Sequence, residues 1–291
     1  MKITDLHIHS NYSADGEWTV CDIIDMCNKQ GVKTIAITDH NCVKGIDEAM
    51  CYGKKFNIDV IPGIEIDCTY KDINLHLLGY HIDYTLNEFN ALEKDIYIQE
   101  KDAALKKIAY LEKIGIGVDV EEVLKKANGK IVTGELLGEI ILNKENSFEN
   151  ELLRPYLKGG YRSDMPYLNF YRDFFSLGKA AYVPIQYLQL KDAIELVKKS
   201  GGIPVIAHPG DNLKNNMDLI DEIIGEGVEG IEVYSNYHTA DQIMFLNEKA
   251  KKNDLLITGG SDFHGKNKPG IQIGCYNGVG NVIAVEKQLT S

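Results

Sequence analysis

The chain has 291 residues, 44% of them hydrophobic and 25% charged, a balance that suits a folded protein with a full core and excludes a disordered or low-complexity one. Its 31 Lys and Arg stand against 43 Asp and Glu, and the formal charge of -12 opposes duplex nucleic acid and anionic membrane surfaces as partners. No apolar run approaches the ~18 residues of a membrane span, and the amino terminus carries no leader pattern, so the expectation is a cytoplasmic chain. The six cysteines form no C-x-x-C pair and read as buried free thiols of a reduced compartment.

In chain order, DLHIHSNYSAD (5 to 15) opens on a strand that sets His7 and His9 on one face, because side chains at i and i+2 of a strand point the same way. Two imidazoles so placed can reach one ion, and Asp15 follows on a loop that can fold back to the same mouth. Val20, Ile23, Ile24 and Cys27 then recur at helical spacing, with Gly31 where a helix would stop. VKTIAITDH is a buried strand ending in Asp39 and His40, of which Asp39 is expected to orient an imidazole. A helix at about 45 to 57 leads to VIPGIEIDC, where Glu65 interrupts an apolar strand at a cost only pairing or a metal offsets. INLHLLGYHID (73 to 83) places His76 in a strand and His81 on the opposite face, so His81 reads as no ligand. Up to here the alternation predicts parallel βα units.

Residues 84 to 190 break the rhythm. Helical patterns at about 86–114, 119–128 and 133–143 precede an aromatic-rich stretch, and the span reads as a mostly helical insertion. From 191 the alternation resumes, with helices near 191–200, 216–225 and 239–252 and strands that end in polar residues near 208, 235 and 262. The predicted organisation is an α/β domain of residues 1–83 and 191–291 interrupted by an insertion domain of residues 84–190. In parallel α/β architectures the carboxyl ends of the strands form the active face, so those polar ends should converge.

Gathering them gives His7, His9, Asp15, His40, Glu65, His76, His208, Asp262 and His264. Nine imidazoles and carboxylates exceed what one ion holds, whereas two or three ions sharing a carboxylate need about that many. Mixed nitrogen and oxygen donors suit zinc, manganese and iron alike.

The segments DLHIHSNYSAD, ITDHN, GIEI, HLLGYHI, AHPG and SDFHG, in this order, resemble the successive motifs of the polymerase and histidinol phosphatase (PHP) family of metal-dependent phosphoesterases. HLLGY followed by a helical insertion before AHPG is similar, more narrowly, to its nucleotide-phosphatase branch. The resemblance implies a distorted (β/α)7 barrel and a trinuclear centre. It puts His7, His9, Glu65 and Asp262 on a first ion, Glu65, His76 and His208 on a second, and Asp15, His40 and His264 on a third. It further implies attack on phosphorus by a metal-bridging hydroxide, with Glu65, Asp262 and His264 as the catalytic set, and a nucleotide carrying a ribose phosphate, such as a 3',5'-bisphosphate, as the substrate. Alternatives are another phosphomonoester such as histidinol phosphate, a short oligonucleotide entering end-first, and a metal-binding regulatory module without turnover.

All three arginines, Arg154, Arg162 and Arg172, fall in the insertion, and guanidinium forks suit phosphate. Tyr156, Tyr161, Tyr167, Phe170 and Tyr171 are interleaved with them, either to stack a base or to form the insertion's own core. His238 ends a strand on the expected active face and is a further candidate for contact with a phosphate. Where the relatives carry a basic residue after YVP, this chain has Ile185 and Gln186. Nothing in the sequence bears on oligomeric state.

Overall fold

A computed structural model describes residues 3–278. The chain folds as two compact units.

Of the described residues, the first unit comprises those up to Leu92, Tyr187–His264 and those from Ile271 to Gly278. Strand β1 (Ile3–Ile8) passes through the β1–α1 loop to α1 (Val20–Gln30), which starts on the Thr19 hydroxyl accepting from the Asp22 N–H and stops at Gly31, where φ is 75°. Its Val20, Ile23, Ile24 and Cys27 face inward, as their spacing requires. β2 (Val32–Ile37), α2 (Ile46–Phe56) and β3 (Asp59–Tyr70) follow, with β1, β2 and β3 parallel.

The expected run of parallel units ends there. β4 (Ile73–Tyr80) returns antiparallel to β3 through a two-residue turn, Lys71 and Asp72, at φ 47° and 63°. Two residues suffice for a hairpin, whereas a parallel crossover needs a dozen or more.

β5 (Leu188–Gln189) pairs with β3 and runs into α7 (Leu190–Lys199), and β6 (Ile203–Ile206) lies antiparallel to β4. After the short α8 (Pro209–Asn212) and α9 (Ile220–Gly225), β7 (Gly230–Tyr234), α10 (Ala240–Lys252) and β8 (Leu256–Gly259) restore parallel pairing. The result is an eight-stranded mixed sheet in the order β1-β2-β3-β4-β6-β7-β8, with β5 beside β3. The ladder is not closed. Among the described residues, β1 meets the segment after β8 at one bridge, Ile8 to Phe263, flanked by bonds from the His9 N–H to the Phe263 carbonyl and from the Asp262 N–H to the His7 carbonyl.

The second unit takes residues Glu93–Gln186 with Gly265–Gly270. It holds most of α3 (Asn87–Lys113), and α4 (Val120–Ala127), α5 (Gly134–Leu142) and α6 (Pro166–Phe174). Leu111, Leu137, Ile140, Tyr156 and Phe170 lie in its own apolar core. No helix among the described residues is long and apolar enough to cross a membrane.

Of the cysteines, Cys27, Cys42 and Cys68 are buried as expected, but Cys51 and Cys275 are exposed and Cys21 is half-buried. Cys51 lies on the outer face of α2, away from the inward Ile46, Ala49 and Gly53.

Candidate metal centre

His7 lies on β1 with its N–H on Asp5, a buried carboxylate that also accepts from the Ser261 and Gly274 N–H groups. This clamp fastens the loop after β8 to the first strand. A Cβ at Gly260 would stand 2.3 Å from the His7 Cβ, so only glycine lets the two backbones approach this closely. The clamp thereby delivers Asp262, itself at φ 56°, to His7 on β1 and His9 just past it.

Glu65 sits on β3 opposite His40, whose segment is bridged to it, and the Asn41 N–H donates to the Glu65 carbonyl at 2.7 Å. His76 comes from the facing strand β4, in register with Asp67. His208 follows β6 at φ 22°, a strained position that the Glu232 carboxylate holds by accepting its N–H at 2.7 Å. Asp15 is reached through the β1–α1 loop, where Ser13 donates its hydroxyl to Asp15 at 2.7 Å.

The nine residues gathered from the sequence thus meet. Glu65 Oε2 lies 3.1 Å from both His7 Nε2 and His9 Nε2, and Asp262 Oδ1 lies 3.5 and 3.2 Å from the same two nitrogens. The other Glu65 oxygen, Oε1, lies 3.0 Å from His76 Nδ1 and 3.2 Å from His208 Nε2. Asp15 Oδ2 lies 3.1 Å from His264 Nε2 and 3.8 Å from His40 Nε2. Donors held 2.0–2.2 Å from a tetrahedral ion stand ~3.4 Å apart, which is the spacing of these sets. His7, His9, Glu65 and Asp262 form one such group, Glu65, His76 and His208 another, and His9, Asp15, His40 and His264 a third, their ligand atoms all within 4.8 Å of one another in each.

The polar accounting favours ions as well. His7 Nε2, His9 Nε2 and Glu65 Oε2 are buried without a hydrogen-bond partner among the described residues. Burying such atoms unsatisfied costs several kcal/mol between them, and a shared cation removes that cost. Electrostatics point the same way. Burial opposes charge on Glu65, but His7, His40 and His76 outweigh it and hold the carboxyl well below its ordinary range. Burial likewise works against a charged His7, yet Glu65, Glu232 and Asp262 raise its proton affinity well above the usual. Such a set is built to take up positive charge, and the donors fit divalent ions in type, number and spacing.

A PHP domain model matches residues 5–147, which contain six of the nine converging residues. Residues 5–147 are thus a PHP domain. The chain is 29% identical over 266 residues to the phosphoribosyl 1,2-cyclic phosphate 1,2-diphosphodiesterase of Eggerthella lenta, covering 91% of this chain and 95% of that one. It is 28% identical over 278 residues to the 3',5'-nucleoside bisphosphate phosphatase of Chromobacterium violaceum, covering 94% and 91%. Among solved structures it resembles that of an amidohydrolase from Chromobacterium violaceum with bound sulfate, with a TM-score of 0.76, 26% identity and 94% and 90% coverage.

Within this PHP-domain chain two carboxylates near the centre escape the strand-end reading. Glu232 interrupts the apolar β7 just as Glu65 interrupts β3, the same signal in a second strand. It is fully buried, accepts from His7 Nδ1 at 3.0 Å, and so leaves Nε2 of that ring facing Glu65. Asp67 stands two residues after Glu65 on β3, the i, i+2 spacing that marks His7 and His9. Tyr237, which donates to Asp262 Oδ2 at 2.6 Å, carries no sequence signal of its own.

Other expectations are corrected. Asp39 accepts from the Ser10 N–H and hydroxyl at 2.6 and 2.7 Å, so it fixes the backbone after His9 rather than orienting an imidazole. His238 is buried, with Nδ1 bonded to the Val233 carbonyl and Nε2 accepting from the Gly210 N–H. Both ring nitrogens are therefore used by backbone, and none remains for a phosphate. In the second unit the Arg162 fork is closed on Asp173 at 2.8 and 2.9 Å, and Arg154 donates to the Phe148 carbonyl. Tyr156 and Phe170 are core residues there, while Tyr161 is 84% exposed. His81 falls just past β4, at φ 57°, is exposed, and belongs to none of the donor groups among the described residues.

Proposed function

We propose that this metal-dependent phosphoesterase of the PHP family hydrolyses a small nucleotide carrying a phosphate on its ribose, such as a nucleoside 3',5'-bisphosphate. The observation that carries the reading is Glu65, whose two oxygens face two separate pairs of imidazoles, as a carboxylate shared by two cations would. Its relative of that activity spans nearly the whole chain, and the acidic surface argues against long nucleic acid as the main substrate. The proposed ions are two or three of zinc, manganese or iron, on the three donor groups described above. When bound, such ions lower the pKa of water toward ~7 and offset charge on phosphoryl oxygens.

The chain's own residues do the rest. His7 on β1, held by Glu232, His9 just after it, whose N–H bonds the Phe263 carbonyl, and Asp262, anchored by Tyr237, fix one face of the centre. His76 and His208 fix the second, and His264, whose Nδ1 bonds the Asp262 carbonyl at 3.0 Å, presents Nε2 toward Asp15 at the third. Glu65 keeps the first two at a constant separation, and Asp262 and His264 join it as the proposed catalytic set. The phosphoryl group would thus meet preorganised positive charge with no rearrangement of the protein at the moment of reaction. We read the sheet as a distorted (β/α)7 barrel, supported by the bridge from Ile8 to Phe263, and the helical unit as a separate domain. We place the chain in the cytoplasm, in keeping with six cysteines that form no disulfide.

The test is phosphate release by protein reconstituted with Mn2+ or Zn2+. Adenosine 3',5'-bisphosphate should turn over well, and histidinol phosphate and a 5'-phosphorylated trinucleotide poorly. Preference for either of the latter would replace the substrate assignment. Bound metal with no release from any of them would favour a regulatory module.

A further inference from the structure

We propose that Asp67 is a positioning residue that sets the tautomers of His40 and His76 together, turning the metal-facing nitrogen of each ring toward its own ion. The proposal rests on the metal-dependent reading above and adds a role that the six sequence motifs leave unassigned.

Asp67 Oδ1 lies 3.0 Å from His40 Nδ1 and 3.5 Å from His76 Nε2. His76 turns its opposite nitrogen, Nδ1, to Glu65 at 3.0 Å, and His40 turns Nε2 to Asp15 at 3.8 Å, although His40 Nδ1 also lies 3.5 Å from Glu65 Oε2. A neutral imidazole has one N–H and one in-plane lone pair, so a proton held on the Asp67 side leaves the lone pair on the ion side. One carboxylate oxygen thus serves two rings that belong to two different donor groups. A separate ion held by His40, Asp67 and His76 is the poorer account, since it would take from each ring the lone pair the neighbouring position needs.

The surroundings demand a carboxylate here. The other oxygen, Oδ2, accepts from Asn41 Nδ2 at 2.7 Å, and the Asp67 N–H donates to Asn41 Oδ1 at 3.0 Å. Both ends of the Asn41 amide are committed, so the side chain at 67 must accept on the Asn41 side. An amide at 67 would then aim its NH2 at His40 and His76. That donor would draw the lone pairs outward and leave N–H groups pointing at the ions.

The experiment is calorimetric titration of Mn2+ into metal-free wild type, Asp67→Ala and Asp67→Asn, with thermal unfolding of each metal-free form as the control for folding. Outer groups that orient metal-binding histidines alter metal affinity ~10–100-fold when removed. The Ala variant should therefore lose ~10-fold or more on at least one bound equivalent, with the tightest equivalent retained. The Asn variant should bind more weakly still, because it reverses the tautomers instead of merely releasing them. Wild-type affinity in the Ala variant overturns the proposal, and that result stands even should the Asn variant not fold. Equal losses in the two variants also overturn it, since a direct ligand would be missed equally by Ala and Asn. Wild type that takes up no Mn2+ would instead sink the reading of the centre itself.

Discussion

Replacing Glu65 by Gln keeps the side-chain volume and removes one negative charge from the point where the donor groups meet. Glu65 is completely buried on β3, with four imidazole nitrogens 3.0 to 3.2 Å from its two oxygens. The amide would turn one of those oxygens into an NH2 group that repels a cation and cannot coordinate it. Removing outer partners of metal-binding histidines already costs ~10–100-fold in metal affinity, so losing a carboxylate that serves two ions should cost at least ~100-fold for each. At 1.36 kcal/mol per decade this is about 2.7 kcal/mol per ion. The assay is metal content after gel filtration at micromolar free metal, paired with phosphate release from adenosine 3',5'-bisphosphate. Wild type should retain two or three equivalents, and the variant should retain at most one and turn over at background. A Glu65→Gln protein with wild-type metal content and turnover would refute the argument that this carboxylate is shared.

Removing metal from wild type with a chelator should lower its unfolding temperature by several degrees, since each ion at 100 times its dissociation constant contributes about 2.7 kcal/mol; an unchanged midpoint would mean no ion is bound in the native state. A thiol reagent at pH 8 should label Cys51 and Cys275 quickly in the folded chain, with Cys27, Cys42 and Cys68 reacting only on unfolding. Burial also pushes the Cys27 and Cys68 thiols well above their ordinary range, so fast modification of either would contradict the described core. For His238, burial depresses proton affinity below the ordinary value of 6.5 in spite of the Val233 carbonyl. The unfolded chain therefore binds that proton more readily, and the stability contributed by neutral His238 is lost as the pH falls below 6.5, a loss that His238→Gln lacks. Urea unfolding of the metal-free proteins between pH 5 and 7 should show the two stabilities converging on acidification, and parallel curves would place the titrating group elsewhere.

The local signals in the sequence were strong wherever one residue was out of keeping with its surroundings. His7 and His9 on one strand, Glu65 inside an apolar run and His76 inside another each announced a cost that pairing or a cation must offset, and each stands in the centre. The helices were legible because their apolar residues recur at the helical period, as Val20, Ile23, Ile24 and Cys27 do in α1. Pairing direction was not. The reversal at β4 depends on a two-residue turn at Lys71 and Asp72, which the alternation of apolar and polar residues does not encode.

What the tertiary structure alone decided is which nitrogen or oxygen of each side chain faces inward. Glu232 fixing His7, Asn41 constraining Asp67 and Tyr237 holding Asp262 are contacts between residues 225, 26 and 25 positions apart. The same structure turned His238 from a candidate for substrate into a support between Val233 and Gly210. Composition and periodicity report how much a side chain gains from being buried and on which face of its element it lies. The direction of a lone pair is set by the partner across the fold, and that partner is known only once the strands have come together.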